Sequence, residues 1–144
     1  MKKFLWIFFI SSFCFSQSAK EKAKTYITDK AFKKAQQEMV TYLASNSEDK
    51  EAIELLGDAY GHQKKWDEAI AQYEKLKDQE PNNANYQYTY GGALGMKALS
   101  VSKLKALGII GDVKRAFLKA AKLDPKHIDA RWALVELYVS LPGI

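Results

Sequence analysis

The sequence predicts an all-α chain of antiparallel helix pairs stacked side by side, and three observations carry that prediction. After Gln17, apolar residues recur at spacings of three and four. Examples are Ala52-Ile53-x-x-Leu56-x-x-Ala59-Tyr60 and Ala69-Ile70-x-x-Tyr73-x-x-Leu76, whose apolar residues fall on one helix face. The three prolines, Pro81, Pro125 and Pro142, each fall where a helix has to stop. The chain also repeats itself: Leu56-Gly57 returns as Tyr90-Gly91 after 34 residues, and Tyr26/Tyr60 and Ala35/Ala69 have the same separation.

Helices are expected near 19–28, 31–45, 51–63, 66–79, 84–103, 110–123 and 127–140. A chain of 144 residues, 47% apolar and 27% charged, suits one folded domain with an ordinary charged surface. A two-helix unit cannot bury its apolar face alone, so stability has to come from stacking on its neighbours.

The residues at that period resemble the tetratricopeptide repeat family, whose pattern is Trp-x2-Leu-Gly-x2-Tyr, then Ala-x3-Phe, then Pro. The best copy, 50–83, reads Ile53-x2-Leu56-Gly57-x2-Tyr60, Ala69-x3-Tyr73 and Pro81; only the leading Trp and the Phe are replaced, by Ile and Tyr. A second copy, 84–127, reads Gln87-x2-Tyr90-Gly91-x2-Leu94, Val113-x3-Phe117, Ala120 and Pro125. A partial copy in 128–144 contains Leu134-x3-Tyr138, and a degenerate first copy contains Tyr26, Ala35 and Met39. The resemblance implies an α-solenoid, a superhelix of about three units plus a final helix. Gly57 and Gly91 would then admit close approach of a partner helix, with Ala69 as the small opposing surface, while Tyr60 and Tyr73 fill the space between successive hairpins. Pro81 ends one helix, and Asn82-Asn83 turn the chain and cap the next.

One departure stands out. Pro81 and Pro125 lie 44 residues apart, ten more than the period. The surplus falls within 95–111, where Ala98, Leu99, Val101, Leu104, Leu107, Ile109 and Ile110 are more apolar than a free loop should be. A lengthened helix packed against the array is the expected outcome; a protruding element that docks a partner is the alternative. The segment 127–140 resembles the first helix of another unit, yet Trp132, Leu134, Val135, Leu137 and Val139 leave it little polar surface. Either it tucks into the preceding hairpin or the sequence is a fragment of a longer array.

The first residues stand outside this pattern. Met1-Lys2-Lys3, the apolar run Phe4 to Phe15 and the small-x-small step Cys14-Phe15-Ser16 have the layout of a secretory signal peptide over 1–16, leaving a repeat domain over 17–144. The apolar run is shorter than the roughly 20 residues of a membrane span, so an uncleaved anchor is the secondary reading. Phe13 before Cys14 argues against a lipoprotein signal. Cleavage would remove the only cysteine and lower the formal net charge from +5 to +3. The expected location is a bacterial periplasm or the exterior, where a chain without cysteine is held by packing alone.

Catalytic and metal-binding patterns are absent from the sequence: no nucleophile elbow, zinc motif or phosphate loop occurs, and His62 and His127 stand apart without ligand spacing. Gly91-Gly92-x-x-Gly95 follows no strand and is expected to serve close helix packing. No catalytic residue, metal or cofactor is expected, and an enzyme role would require a larger assembly.

The resemblance instead implies a concave groove. Lys20 and Lys24 would line it, followed by Glu51, Glu54, Asp58 and His62, then Asn85, Tyr88 and Gly92, then Asp129, Trp132 and Glu136. Such a groove is acidic and aromatic, suited to a peptide carrying Lys or Arg. The Lys, Asn and Arg set with which some family members clamp a C-terminal carboxylate is missing, so chaperone-tail binding is not expected.

Charge is segregated along the chain. Glu48 to Glu80 holds ten acidic and five basic residues, and Lys97 to Lys126 holds eight basic and two acidic. The basic set is Lys97, Lys103, Lys105, Lys114, Arg115, Lys119, Lys122 and Lys126. It reads first as a solvated outer face, second as a surface for anionic lipid or cell-wall polymer. Aromatic stacking residues are scarce within it, so nucleic acid is not an expected partner. The leading expectation is a non-enzymatic protein-interaction scaffold of the bacterial envelope; the alternative is a basic accessory that binds lipid or polymer through Lys97–Lys126.

Overall fold

The computed structural model describes residues 18–140. The expected signal peptide, with Cys14, lies outside the described residues, as does Pro142. All regular structure among the described residues is helical: α1 over 18–28, α2 (Phe32–Leu43), α3 (Lys50–His62), α4 (Trp66–Gln79), α5 (Ala84–Ser100), α6 (Lys103–Leu123) and α7 (Ile128–Ser140). They fall into two compact units, one ending at Lys64 and one beginning at Lys65.

In the first unit, α1, α2 and α3 share a core of Ala19, Ala23, Ala35, Met39, Tyr42, Ala52, Leu55, Leu56 and Ala59, with Tyr26, Ile27, Leu43 and Tyr60 against it. Five of its nine buried side chains are alanine, which lets these helices approach closely, with Met39 and the leucines filling what remains. The connections are built locally. Asp49 caps α3 by accepting from the Ala52 amide at 3.1 Å. Lys30, after α1, and Lys64, after α3, both adopt left-handed backbone, at φ 58° and 59°. That is the usual way to end a helix, and the two sites lie one 34-residue period apart.

In the second unit, α4 packs on α5, α5 on α6 and α6 on α7. The core centres on Leu94, Val113 and Phe117, with Ile70, Tyr88, Tyr90, Ile109, Ala133, Leu134 and Leu137 packed around it. Asn83 caps α5, its side chain accepting from the Asn85 and Tyr86 amides at 3.0 and 3.4 Å. Buried Gln87 donates from Nε2 to the Pro81 carbonyl at 3.1 Å, fixing the Pro81 turn to α5. His127 caps α7, with Nδ1 accepting from the Ala130 amide at 3.2 Å.

The break falls earlier than expected and is shorter. Helix α5 ends at Ser100, not 103, and α6 begins at Lys103, not 110, giving helices of 17 and 21 residues joined by Val101 and Ser102 alone. Helix α6 passes straight through Gly108 and Gly111. The glycine cluster is also more selective than close packing throughout would require. At Gly91 an added Cβ would lie 2.9 Å from Phe117 Cε1 and 3.0 Å from Ala116 Cβ. At Gly95 it would make ordinary contact with Val113, and at Gly92 it would meet nothing within 4 Å. Only Gly91 is demanded by the α5–α6 contact.

Candidate functional site

The expected groove residues fall on α1 and α3 in the first unit and on α5 and α7 in the second, and each group has its own electrostatics. On α3, Glu51 is already engaged. Lys20 reaches it at 2.7 Å and Lys24 at 2.8 Å, while Lys20 also meets Asp49 at 3.1 Å. Hydrogen bonds from Lys20 and Lys24 hold the Glu51 carboxyl below its ordinary range, and Glu51 in turn raises both ammonium groups. Burial works against the Asp49 carboxylate, but the Ala52 amide, Lys20 and the Tyr42 hydroxyl at 2.9 Å outweigh it and lower its pKa. Lys20, Lys24 and Glu51 thus form an ion-pair cluster joining α1 to α3, in which Lys24 and Glu51 remain exposed.

Glu54 and Asp58 sit one turn apart further along α3, and there the balance is opposite. Burial raises the Glu54 pKa, with the charges of Asp58 and Glu51 adding to the effect. This carboxylate sits in negative potential that a ligand cation would relieve. His62, assigned to the same face, is instead stacked on Phe32, with ring centroids 4.5 Å apart and planes 8° from parallel. Its role there is packing between α2 and α3.

In the second unit, Tyr88 on α5 leans against Phe117 at 5.8 Å and His127 at 5.0 Å between ring centroids. Burial raises its hydroxyl pKa, and the carboxylates of Asp129 and Glu136 on α7 raise it further. Tyr88, Asp129 and Glu136 therefore form one aromatic, acidic face. Asn85 is exposed at the start of α5, and its backbone amide and carbonyl serve the Asn83 cap and the Thr89 hydroxyl. Trp132 is exposed and lines a shallow cleft of about 550 Å³ with Pro125, Lys126, Ile128, Arg131 and Val135. A 3.6-residue helical period puts Trp132 between the acidic face of α7 and the apolar strip of Ile128, Val135 and Val139. Inward, α7 buries Ala130 and packs Ala133, Leu134 and Leu137 on the core.

The basic set divides as well. Lys97 is ion-paired with Asp67 and Arg115 with Asp112, while Lys114 lies over the Tyr138 ring at 5.0 Å. Lys103, Lys105, Lys119, Lys122 and Lys126 are exposed.

No family model matches the sequence, and no curated protein matches it. Solved structures do. The first TPR (tetratricopeptide) domain of Spaghetti (RPAP3), bound to the HSP90 peptide SRMEEVD, superposes with a TM-score of 0.73 at 16% identity, over 89% of this chain and 94% of that one. The fold is that of the tetratricopeptide repeat proteins. TTC0263, a thermophilic TPR protein in Thermus thermophilus, gives a TM-score of 0.76 at 13% identity, and MamA gives 0.68 at 21%. Each is covered over 87% of this chain, which spans 65% of the TTC0263 chain and 63% of the MamA chain. In tetratricopeptide terms α3, α5 and α7 are the first helices of their pairs. These are the helices that carry Glu54 and Asp58, Tyr88, and Asp129 and Glu136.

Proposed function

We propose that the chain is a non-enzymatic interaction scaffold of the bacterial envelope, exported to the periplasm, that holds a protein segment bearing Lys or Arg against acidic faces on its first helices. The observation that carries this reading is the placement of half-buried Glu54 one helical turn from Asp58 on α3, where burial and the charges of Asp58 and Glu51 raise its pKa. A second face of the same sign, Tyr88 with Asp129 and Glu136, supports it. A guanidinium or ammonium group placed there neutralises charge and stacks on the Tyr88 ring. The fold supports the class of function, since a similarly folded domain holds a peptide. That peptide is acidic in part, whereas these faces call for a basic one. Export rests on the signal-like 1–16 segment and on the mature chain's lack of cysteine.

Isothermal titration of the chain with a Lys/Arg-rich peptide, set against a Glu-rich peptide of equal length, tests the reading. The basic peptide alone should bind, and Glu54→Gln with Asp58→Asn should weaken it roughly tenfold, the effect of losing about 1.4 kcal/mol of charge pairing. Equal binding of both peptides, or binding indifferent to these substitutions, would refute it.

A further inference from the structure

The lengthened α5–α6 hairpin carries a surface that the acidic-face reading leaves unused. None of residues 103–112 of α6 is buried; its buried side chains, Val113, Ala116, Phe117 and Ala120, all lie further on. Ile109 does reach the core, so this part of the helix lies along α5 on one side. The other side is apolar and open. Leu99 and Leu104 are each 82% exposed and Leu107 is 63% exposed, with Met96 one turn before Leu99 also exposed. At 1.5 Å of rise per residue, all three leucines lie within about 8 Å of the Val101-Ser102 turn along the helix axes. Exposed Lys103 and Lys105 alternate with Leu104 in the same stretch. The nearest acidic group along α6, Asp112, is ion-paired with Arg115.

We propose that this hairpin tip docks on an anionic lipid surface, with Leu99, Leu104 and Leu107 entering the headgroup–acyl boundary and Lys103 and Lys105 meeting lipid phosphates. Exposed leucines need cover, and the charge beside them selects what covers them. Lysine is depleted at the cores of protein–protein interfaces. Leucine flanked by lysine is the composition of an interfacial membrane contact, because the long lysine stems lie along the apolar surface while their ammonium groups stay with the headgroups. Among the described residues no helix is long and apolar enough to cross a membrane, which matches a tip that lies on the surface. The proposal stands independently of the acidic faces on α3, α5 and α7.

Co-sedimentation of the full chain with phosphatidylcholine vesicles, and with vesicles of three parts phosphatidylcholine to one part phosphatidylglycerol, is the test, read together with hydrogen exchange over 96–110. The anionic vesicles should bind the chain and slow exchange at the tip, and added salt should weaken the binding. Lys103→Ala with Lys105→Ala should lower partitioning by roughly thirtyfold, at about fivefold per lysine near an anionic surface. Leu104→Ser with Leu107→Ser should lower it by at least about tenfold, while leaving the circular-dichroism melt unchanged, since both side chains are exposed. Equal binding to neutral vesicles, binding that the leucine substitutions leave intact, or binding without slowed exchange at 96–110 would each overturn the proposal. The same holds if the tip leucines instead drive self-association in the absence of lipid.

Discussion

The α1–α3 unit and the α5–α6 hairpin use one repeat grammar to opposite ends. In α1–α3 the helices α2 and α3 are 12 and 13 residues long, and the buried alanines and leucines run through all three helices. In α5–α6 the helices are 17 and 21 residues long, and the added turns hold three leucines in the open. Within the surplus 95–111 the two outcomes divide by helix face: Ala98 is buried and Ile109 reaches the core, while Leu99, Leu104 and Leu107 stay exposed.

The largest expected effect tests how tightly the packed part of the hairpin is built. Gly91→Ala drives a methyl group into Phe117 and Ala116 and should destabilise the protein by about 1–3 kcal/mol in a urea melt. Its neighbour gives the control: Gly92→Ala meets open space and should be neutral or stabilising by up to about 1 kcal/mol, because alanine is the better helix former. If both substitutions destabilise alike, the close α5–α6 contact is misplaced.

Next in size is the cap that ties α1 and α2 to α3. Asp49→Ala removes the acceptor of the Ala52 amide and the partner of Lys20 and Tyr42, and should cost about 1–2 kcal/mol. Asp49→Asn keeps an acceptor for the Ala52 amide and loses only the charge, so it should cost less.

The pH dependence separates structural carboxylates from the ligand-facing one. Asp49 and Glu51 have folded pKa values lowered below their unfolded ones, so their stabilisation is present above the ordinary carboxylate range, near pH 4, and is lost as pH falls through it. Glu54 has the opposite sign: its raised pKa makes the ionised form a burden that protonation relieves. Thermal melts should therefore fall on acidification, and Glu54→Gln should raise the melting temperature slightly at neutral pH without removing the acid loss. A Glu54→Gln variant that melts lower at neutral pH would place a cation beside this carboxylate. The smallest effect belongs to the tip, where Leu104→Ser should change stability by no more than about 0.5 kcal/mol.

Much of this architecture was legible in the residues because it is written in local signals. The boundaries of α4 and the start of α5 follow from Pro81 and the capping Asn83, and the 34-residue period reappears in the backbone as the left-handed Lys30 and Lys64. The hairpin break was misplaced to the stretch between 103 and 110, which contains Gly108. The surrounding turns carry α6 through that glycine, and Ser102, a residue type that often begins helices, marks the true start. The site was less legible, because its pairings are distant in sequence. Nothing local joins Lys20 to Glu51, Lys97 to Asp67 or Phe32 to His62, yet those contacts engage Glu51, Lys97 and His62. What remained readable was the acidic character of Glu54, Asp58, Asp129 and Glu136 and the aromatic ring of Tyr88.

The most direct test of the scaffold reading is an NMR titration of the Glu54 carboxyl in the free chain and with a saturating Lys/Arg-rich peptide. The free carboxyl should titrate above the ordinary glutamate value, and the peptide should bring it down as a cation settles beside it. A carboxyl that titrates normally when free, or that the bound peptide leaves unmoved, would contradict the claim that α3 offers a seat for positive charge.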